Sequence, residues 1–485
     1  MRNLTLLTDY YELLMMQSSY AEYGENEPYT CFDMFYRNNP YGNGFAVFCG
    51  LEELIEYIKN LKFDKDDIDY LQSLGVFKKD FLDYLSRFKF TGDIYSFKEG
   101  SVIFPYEPVI KVVARISEAQ LIESALLSII NHNILIATKA HRIVHAAAGK
   151  PVMEFGLRRA QNVDAGYYGS RAAVIAGCVG TSNVLAAKDF DITPMGTHAH
   201  SFVMSHESEL EAFRIFAKDY PDNCILLIDT YDTIRSGLEN AITVFKEMKA
   251  AGIKSKKYGV RLDSGDLAYL SKKIRERFDN EGFTDALICA SNDLDENIIS
   301  SLIQQGAKID LWGVGTKLIT GDGAGSLGGV YKLCAIKDNT LGKFIPKIKV
   351  SENVEKITNP GNKEIYRIYD KKSKKMVADY IALVEENIDE NFAENNDLEL
   401  FDPKETWKQT TLKKGSYEMK KVLQKVFDGG NCVYETKSVE DAREHFKNEL
   451  NMLWDETKRL VNPHRMYVDL SRKLWDLKQN LLINK

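Results

Sequence analysis

Two histidines, two hydroxyl side chains and a glycine lie within residues 195–202 (Met-Gly-Thr-His-Ala-His-Ser-Phe). An imidazole can accept a proton or a phosphoryl group near neutral pH. Packing alone does not explain so dense a group of reactive side chains. His200 is therefore the candidate catalytic residue of this segment.

The same segment also allows a metal site. His198 and His200 alternate along the chain, so on a strand they would share a face. No carboxylate lies close by in the sequence, and His206 is the only other histidine nearby. Zinc sites usually have clearer ligand spacing, so the metal ligands stay unassigned. A purely structural histidine is the remaining alternative for either residue.

A second polar group follows the apolar run 152–155, which is predicted to be a strand. Arg158 and Arg159 suit bidentate bonding to a phosphate or a carboxylate. Phe155 has the flat surface needed to stack on a planar ring. The structural alternative is a surface charge pair beside a core phenylalanine.

Residues 259–266 (Gly-Val-Arg-Leu-Asp-Ser-Gly-Asp) form the third group. Arg261 and Asp263 are two positions apart, so they point the same way from a strand end. Asp266 then precedes a predicted helix, whose N-terminus favours anions. Such a set can hold an anion, ribose hydroxyls and a Mg²⁺ shared with phosphates. The structural alternative is an N-cap and one ion pair.

The fourth group follows the run 309–313. Gly313 and Gly315 can expose backbone N–H groups to a phosphate, Thr316 adds a hydroxyl, and residues 321–329 are again rich in glycine. No Walker-type motif is present in the sequence. The position still favours phosphate binding, because (β/α) barrels often bind phosphate after their last strands.

Short apolar runs alternate with helical patterns between residues 131 and 345, which is typical of a parallel sheet or (β/α) barrel. The predicted strands are 152–155, 224–228, 259–262, 287–290 and 309–313. The predicted helices between them include 232–251, 267–278 and 294–305. Barrel active sites lie at the C-terminal ends of the strands, so the polar groups are expected to converge there.

Three regions are predicted along the chain: an N-terminal α+β domain (1–130), a catalytic barrel (131–345) and a C-terminal region (346–485) that packs partly with the N-terminal domain. Near the start, Asp9 is the expected N-cap of a helix. Elements expected outside the barrel are a strand at 30–36, a helix at 52–60, hairpin strands at 365–369 and 376–383, and helices at 438–461 and 467–482. No active-site cluster is evident after residue 350.

Composition narrows the class of protein. A net charge of −7 over 485 residues argues against a dedicated nucleic-acid binder. The seven cysteines are scattered singly, which fits a reducing compartment rather than a disulfide framework. The most apolar run, 121–137, is too short and too polar to span a bilayer, and residues 1–5 do not resemble a signal peptide. We expect a cytoplasmic enzyme with neither a membrane nor a nucleic acid as partner.

Taken in order, these motifs resemble those of the nicotinate phosphoribosyltransferase family, over nearly the whole chain. The segments that carry the resemblance are 7–13, 45–57, 154–160, 196–202, 260–266 and 313–316. The resemblance implies an α/β fold: an irregular (β/α) barrel of the type II phosphoribosyltransferase kind. It also implies an additional α+β domain built from N- and C-terminal segments.

The family joins nicotinate to phosphoribosyl pyrophosphate, giving nicotinate mononucleotide and pyrophosphate for NAD biosynthesis and salvage. It couples this transfer to ATP hydrolysis through a phosphohistidine, so the resemblance implies ATP and Mg²⁺ here. It also implies a homodimer or higher homo-oligomer with shared active sites, in which an N-terminal tyrosine completes the neighbouring subunit's site. Alternatives left open are a nicotinamide or quinolinate phosphoribosyltransferase, a histidine-liganded metal hydrolase and a non-catalytic nucleotide-binding regulator.

The resemblance also implies roles for individual residues. His200 is the phosphoacceptor and forms the catalytic set with Asp263 and Arg158. The nicotinate-binding residues are Tyr11, Phe155, Thr197 and Arg261. The residues expected to bind phosphoribosyl pyrophosphate are Gly313, Gly315, Thr316 and Asp266.

Overall fold

The structure, a computed structural model, describes residues 3–338, 340–388 and 391–484. The chain divides into two compact units. Unit 1 comprises Met1–Leu135, Ser326–Lys437 and Glu444–Lys485, and unit 2 comprises Ile136–Gly325 and Ser438–Arg443. Among the described residues, no helix is both long and apolar enough to cross a membrane.

The bounds of the helices and strands are as follows. The α-helices are α1 (Tyr10–Tyr23), α2 (Leu51–Lys59), α3 (Lys65–Ser73), α4 (Lys79–Leu85), α5 (Ile116–Leu121), α6 (Glu123–Ala146), α7 (Val163–Ile175), α8 (Val184–Asp189), α9 (His200–Met204), α10 (Glu209–Asp219), α11 (Glu239–Ala250), α12 (Leu267–Asn280), α13 (Glu296–Gln304), α14 (Thr316–Ile319), α15 (Phe392–Asn395), α16 (Val439–Met452) and α17 (Arg472–Ile483). The strands are β1 (Tyr29–Phe35), β2 (Ala46–Val47), β3 (Asp93–Ser96), β4 (Val102–Ile103), β5 (Ile110–Arg115), β6 (Val152–Glu154), β7 (Cys224–Leu227), β8 (Tyr258–Leu262), β9 (Leu287–Ala290), β10 (Leu311–Val314), β11 (Val330–Lys337), β12 (Phe344–Pro346), β13 (Lys363–Asp370), β14 (Met376–Leu383), β15 (Leu398–Phe401), β16 (Gln409–Leu412), β17 (Tyr417–Lys421), β18 (Gln424–Asp428), β19 (Asn431–Cys432) and β20 (Tyr467–Leu470).

Unit 1 is built around two larger sheets. The first has seven strands in the order β12–β11–β1–β5–β3–β18–β19, and neighbouring strands are antiparallel. Strands from before and after unit 2 in the chain therefore pair in one sheet. The second sheet has the order β17–β13–β14–β20 and packs an apolar core with Ile368, Tyr380 and Leu400.

Unit 2 contains a five-stranded parallel sheet in the order β6–β10–β9–β8–β7. β7 is buried along its whole length, as expected for a parallel strand covered on both faces. Beyond β6, two single parallel bridges extend the sheet, from Glu154 to Thr181 and from Thr181 to Pro194. The parallel sheet predicted from the alternating pattern is confirmed. It is irregular beyond β6, where single bridges take the place of full strands.

Aspartates start several elements at the C-terminal edge of this sheet. Asp266 caps α12 by accepting a hydrogen bond from Tyr269 N at 2.9 Å. Asp295 caps α13 in the same way. Asp232 caps a π-helical turn, Thr233–Leu238, which leads into α11. These caps fix where each helix leaves the sheet edge and so place the loops between strand and helix.

Both predicted C-terminal helices are wrong in extent. Residues 467–470 form strand β20, which pairs in parallel with β14, and the helix begins only at Arg472. Ser471 caps that helix by accepting a hydrogen bond from Leu474 N at 3.0 Å. The preceding helix ends at Met452 instead of residue 461. The helical periodicity of residues 467–482 did not predict this strand. Residues 467–470 form a strand because pairing with β14 satisfies their backbone groups, and this pairing leaves no mark on the local periodicity.

Candidate active site

His200 is the first residue of α9 and lies between the ends of two strands of unit 2. Its Nδ1 lies 3.1 Å from Oγ1 of Thr230, just after β7. Its Nε2 lies 3.8 Å from Oδ2 of Asp263, just after β8. The histidine side chain is 39% exposed. An imidazole that is hydrogen-bonded through Nδ1, lies beside a carboxylate and is open to solvent can react with a ligand that arrives from outside.

Asp263 is held by a second carboxylate. The Asp263 backbone N–H donates to Oδ2 of Asp229 at 2.9 Å, and the Ser264 hydroxyl donates to the same oxygen at 2.6 Å. Ser291, directly after β9, donates a hydrogen bond to Oδ1 of Asp263. Oδ1 of Asp229 is buried and has no hydrogen-bond partner among the described residues. Sequence reasoning missed Asp229 and Thr230, although both directly follow the buried run 224–228.

Arg261 and Thr197 are brought together as a pair. Nη1 of Arg261 donates a hydrogen bond to the Thr197 hydroxyl. Nε of Arg261 is buried and finds no acceptor in the part of the chain that the structure describes. A buried guanidinium edge with an unused donor is suited to bind a carboxylate.

Phe155 and Gly313 pack against each other at neighbouring strand ends. A Cβ atom on Gly313 would lie 2.7 Å from Cδ2 of Phe155, so only glycine lets the ring lie there undisturbed. The same hypothetical atom would lie 3.5 Å from Cβ of Ser291. Ser291 therefore links the aromatic side of the site to Asp263 and, through it, to His200.

Glu154 supports the turn after Phe155 and was given no role in the sequence analysis. Its side chain is fully buried and accepts hydrogen bonds from Gly156 N, from the Thr181 hydroxyl at 2.5 Å and from the Ser170 hydroxyl at 3.1 Å. Burial raises the pKa of this carboxyl. The only signal in the sequence was one glutamate within an apolar run.

The other predicted site residues of unit 2 lie on the same strand ends. Arg158 is exposed in a 3-10 turn, Leu157–Arg159, and lies three residues beyond Phe155. Gly315 and Thr316 start α14 directly after β10. Asp266 uses Oδ1 to cap α12, which is the structural alternative for this residue, while its side chain stays exposed.

Of the other residues considered in the sequence, Tyr11 belongs to unit 1 and His198 is buried. Tyr11 is half exposed on α1 of unit 1, and burial together with nearby Glu12 raises its pKa to about 12. His198, by contrast with His200, is buried, and its Nε2 accepts a hydrogen bond from Leu227 N at 3.1 Å. Within the described ranges, no group of three or more His, Cys, Asp or Glu side chains is arranged to hold a metal ion.

Comparison with known proteins decides the family. Three family models match: the nicotinate phosphoribosyltransferase N-terminal domain (residues 6–131), the nicotinate phosphoribosyltransferase family (residues 151–376) and the nicotinate phosphoribosyltransferase C-terminal domain (residues 362–478). Nicotinate phosphoribosyltransferase of Bacillus subtilis is 44% identical over 476 residues, which covers 98% of this chain and 94% of the relative. The chain belongs to the nicotinate phosphoribosyltransferase family.

More distant relatives agree. The enzyme of that name from Dictyostelium discoideum is 32% identical, covering 99% of this chain and 88% of the relative. The crystal structure of human nicotinic acid phosphoribosyltransferase superposes with a TM-score of 0.84 at 26% identity, covering 98% of this chain and 99% of that one. Nicotinate-nucleotide pyrophosphorylase from Pyrococcus furiosus shares the fold, with a TM-score of 0.68 at 21% identity, covering 93% and 96% of the two chains. The expected type II phosphoribosyltransferase fold is thereby confirmed.

Proposed function

We propose that this protein transfers the phosphoribosyl group of phosphoribosyl pyrophosphate to nicotinate, for NAD biosynthesis, and couples the transfer to ATP hydrolysis through His200. The observation that carries the proposal is the contact chain around His200. The imidazole of His200 lies next to Asp263 and Thr230. Arg261, on β8, has a buried Nε–H donor with no acceptor among the described residues. Membership of the family supports the choice of substrates.

The transfer step needs no protein nucleophile at carbon. The ring nitrogen of nicotinate attacks the anomeric carbon, the bond from that carbon to pyrophosphate breaks, and pyrophosphate leaves with the electron pair. In this reaction Arg261 binds the nicotinate carboxylate beside Thr197, and Phe155 stacks on the ring. Gly313, Gly315 and Thr316 hold the phosphoribosyl phosphate, aided by Asp266, and Arg158 binds pyrophosphate.

The ATP step uses His200 as the acceptor. An imidazole nitrogen attacks the γ-phosphorus, the bond to ADP breaks, and water later hydrolyses the phosphohistidine to phosphate. Asp263 orients the ring and balances positive charge on it. The carboxylates of Asp229 and Asp263 would hold a Mg²⁺ brought in with the substrate phosphates, since Oδ1 of Asp229 has no hydrogen-bond partner among the described residues. Such an ion neutralises charge on the phosphate oxygens.

The chemistry of His198 speaks against a histidine-liganded metal hydrolase. Its Nε2 already accepts the Leu227 N–H, so this nitrogen is not free to share a metal with His200. A metal shared with His200 would therefore have to use Nδ1 of His198, which is buried.

The deciding experiment combines product analysis with labelling. The purified protein is incubated with phosphoribosyl pyrophosphate, Mg²⁺, γ-labelled ATP and either nicotinate, nicotinamide or quinolinate. We expect nicotinate mononucleotide with nicotinate alone, and an acid-labile label on the peptide that contains residues 195–202. His200→Ala should lose the label and keep a weak, ATP-independent transfer.

His464→Ala is the matched control, because His464 is an exposed histidine of unit 1. It should keep both activities. Preference for nicotinamide or quinolinate would reject the proposed substrate. Turnover of nicotinate with no label on His200 would reject the phosphohistidine.

We further propose a homodimer or higher homo-oligomer in which Tyr11 of one subunit completes its neighbour's site. Exposed apolar side chains at and before α1 support this, because such a surface is suited to a partner chain. They are Leu7, Tyr10, Tyr11, Leu14 and Met15. Mixing Tyr11→Ala and His200→Ala subunits should restore activity above that of either variant alone, and failure to do so would count against shared sites.

A cytoplasmic location is proposed as well. The seven cysteines, all of them described by the structure, form no disulfide, and six of them are buried. This state is expected where thiols stay reduced. Imaging of the tagged full-length chain would test the location.

A further inference from the structure

His198, two residues before the proposed phosphoacceptor, has a contact that the proposed function does not explain. Its side chain is only 7% exposed, and Nε2 accepts a hydrogen bond from the backbone N–H of Leu227 at 3.1 Å. Leu227 is the last residue of β7, and Thr230 follows three positions later. The imidazole therefore joins the His200 segment to the strand end that also provides the Thr230 contact.

The bond from Leu227 N to His198 matters because β7 lies at the edge of the sheet. On the edge that faces β8, the N–H groups of Cys224 and Ile228 donate to Lys257 O at 2.9 Å and Arg261 O at 3.3 Å. Successive N–H groups of a strand point to opposite edges, so that of Leu227 points away from β8. β7 is the last strand in the sheet order of the described residues. His198 supplies the acceptor that a further strand would otherwise provide.

The segment beyond β6, at the other end of the sheet, also leads to His198. Beyond β6, Thr181 bridges to Pro194, and Met195 N donates to Thr181 O at 2.8 Å. Three residues after Met195 comes His198. Among the described residues, the bond from Leu227 N to His198 thus joins the last bridged segment to β7, where a ladder of backbone hydrogen bonds would join two neighbouring strands.

Aromatic neighbours hold the imidazole in place. The ring centroid of His198 lies 5.5 Å from that of Phe202, 5.9 Å from that of Phe213 and 4.8 Å from that of Phe216. Burial lowers the pKa of His198 to about 4, so the ring is neutral at physiological pH. Because Nε2 accepts a hydrogen bond, the proton of the neutral ring is on Nδ1.

We infer that His198 is a positioning residue: by anchoring residues 197–200 to the end of β7, it holds Thr197 against Arg261 and His200 against Thr230. The inference rests on the proposed function, because the two positioned contacts belong to the proposed nicotinate and phosphohistidine sites. Thr197 and His200 flank the anchor, and each makes its contact to a strand end. Loss of the anchor should therefore disturb both sites together.

Two substitutions separate the acceptor from the ring. His198→Gln keeps a hydrogen-bond acceptor, whereas His198→Phe keeps an aromatic ring and leaves the Leu227 N–H without its acceptor. We expect His198→Phe to raise the KM for nicotinate by about fivefold or more and to slow labelling of His200, because both contacts lose their alignment. His198→Gln should restore both values towards those of the unmodified protein, a rescue that a purely packing role would not produce.

A nicotinate KM and a labelling rate in His198→Phe equal to those of the unmodified protein would overturn the inference. An equal defect in the two variants would overturn it as well, because keeping a hydrogen-bond acceptor would then restore nothing. The unmodified protein and His200→Ala are assayed alongside. If the unmodified protein itself shows neither label nor product, the proposed function fails, which is a separate result.

A measurement on the unmodified protein does not depend on how the variants fold. In the full chain labelled with ¹⁵N-histidine, we expect one neutral ring at pH 7 with Nδ1 protonated and Nε2 unprotonated, the less common tautomer. Assignment to His198 follows from loss of its signals in His198→Gln. An Nε2-protonated or cationic His198 at pH 7 would refute the anchor, whatever the activity assays show.

Discussion

Arg367 and Arg261 are both strand arginines, one on β13 of unit 1 and the other on β8 of unit 2. Arg367 is 1% exposed, and its guanidinium donates to Asp379 at 2.7 and 2.9 Å, to Glu449 and to Val102 O at 2.9 Å. The Arg261 guanidinium donates to Thr197, and its Nε has no acceptor among the residues described.

Asp379 of unit 1 and the carboxylates near His200 in unit 2 differ in the same way. Asp379 is fully buried and paired with Arg367. Asp263 is 35% exposed beside His200, and Oδ1 of Asp229 has no partner within the described ranges. Where every donor and acceptor is matched, the charges hold the fold together. Where some stay unmatched at a strand end, they are available to a ligand, since an unmatched buried polar atom is otherwise costly.

The largest effect expected from this comparison is on stability, in unit 1. Arg367→Met would leave the buried carboxylates of Asp379 and Glu449 without their counter-charge, and breaking such a pair costs about 3–5 kcal/mol. Denaturant unfolding should show that loss, while the folded fraction keeps an unchanged KM for nicotinate. A shifted KM with no loss of stability would contradict the structural role of this network.

The second effect should be on activity alone, in unit 2. Asp263→Asn should lower kcat/KM about 100-fold, because it removes a charge from beside His200, yet leave the melting temperature unchanged. Asp279→Asn is the matched control, since Asp279 is an exposed carboxylate of α12 in the same unit. Comparable losses in the two variants would mean that net charge, and not the site, is responsible.

A smaller effect is expected from Arg261→Lys. A lysine cannot offer the bidentate fork, so the KM for nicotinate should rise about tenfold while kcat changes less. Arg214→Lys serves as the control, because Arg214 is half exposed and pairs with Glu247 elsewhere in unit 2. Steady-state kinetics with varied nicotinate measures both. An unchanged KM in Arg261→Lys would remove Arg261 from the nicotinate site.

The smallest effect is expected at Glu12, a carboxylate of unit 1 that differs from the paired carboxylate of Asp379. Glu12 is buried, and neither carboxylate oxygen has a hydrogen-bond partner in the described part of the chain. Burial, with nearby Glu123, raises the pKa of Glu12 from 4.5 to about 7. The folded state therefore keeps a proton that the unfolded chain releases, so this group's contribution to stability falls as pH rises from about 4.5 to 7.

Glu12→Gln removes that dependence. Relative to the unmodified protein, the variant should gain about 1 kcal/mol in unfolding free energy between pH 5 and pH 6. Urea unfolding at both pH values measures the difference. If the two proteins respond alike to pH, Glu12 is ionised in the folded state and has a partner after all.

Several elements of the fold were predictable because their signals are local. The runs 152–155 and 224–228 became β6 and β7, and the pattern at 52–60 became α2. Capping was predictable only in part. Asp9 precedes α1 as expected, but its carboxylate accepts a hydrogen bond from the hydroxyl of Ser124, 115 residues away, and makes no capping bond.

The amino-acid sequence by itself determined where strands and helices alternate and that polar side chains follow the strands, because periodicity and local polarity lie in neighbouring residues. Only the tertiary structure decided that β6 lies beside β10, since the strands β7 to β10 otherwise follow one another in chain order. The tertiary structure also places Thr230 next to the His200 imidazole, bonds Ser291 to Asp263 and turns His198 to the Leu227 edge. These contacts join residues 28 to 30 positions apart, a separation at which local sequence patterns carry no information about distance.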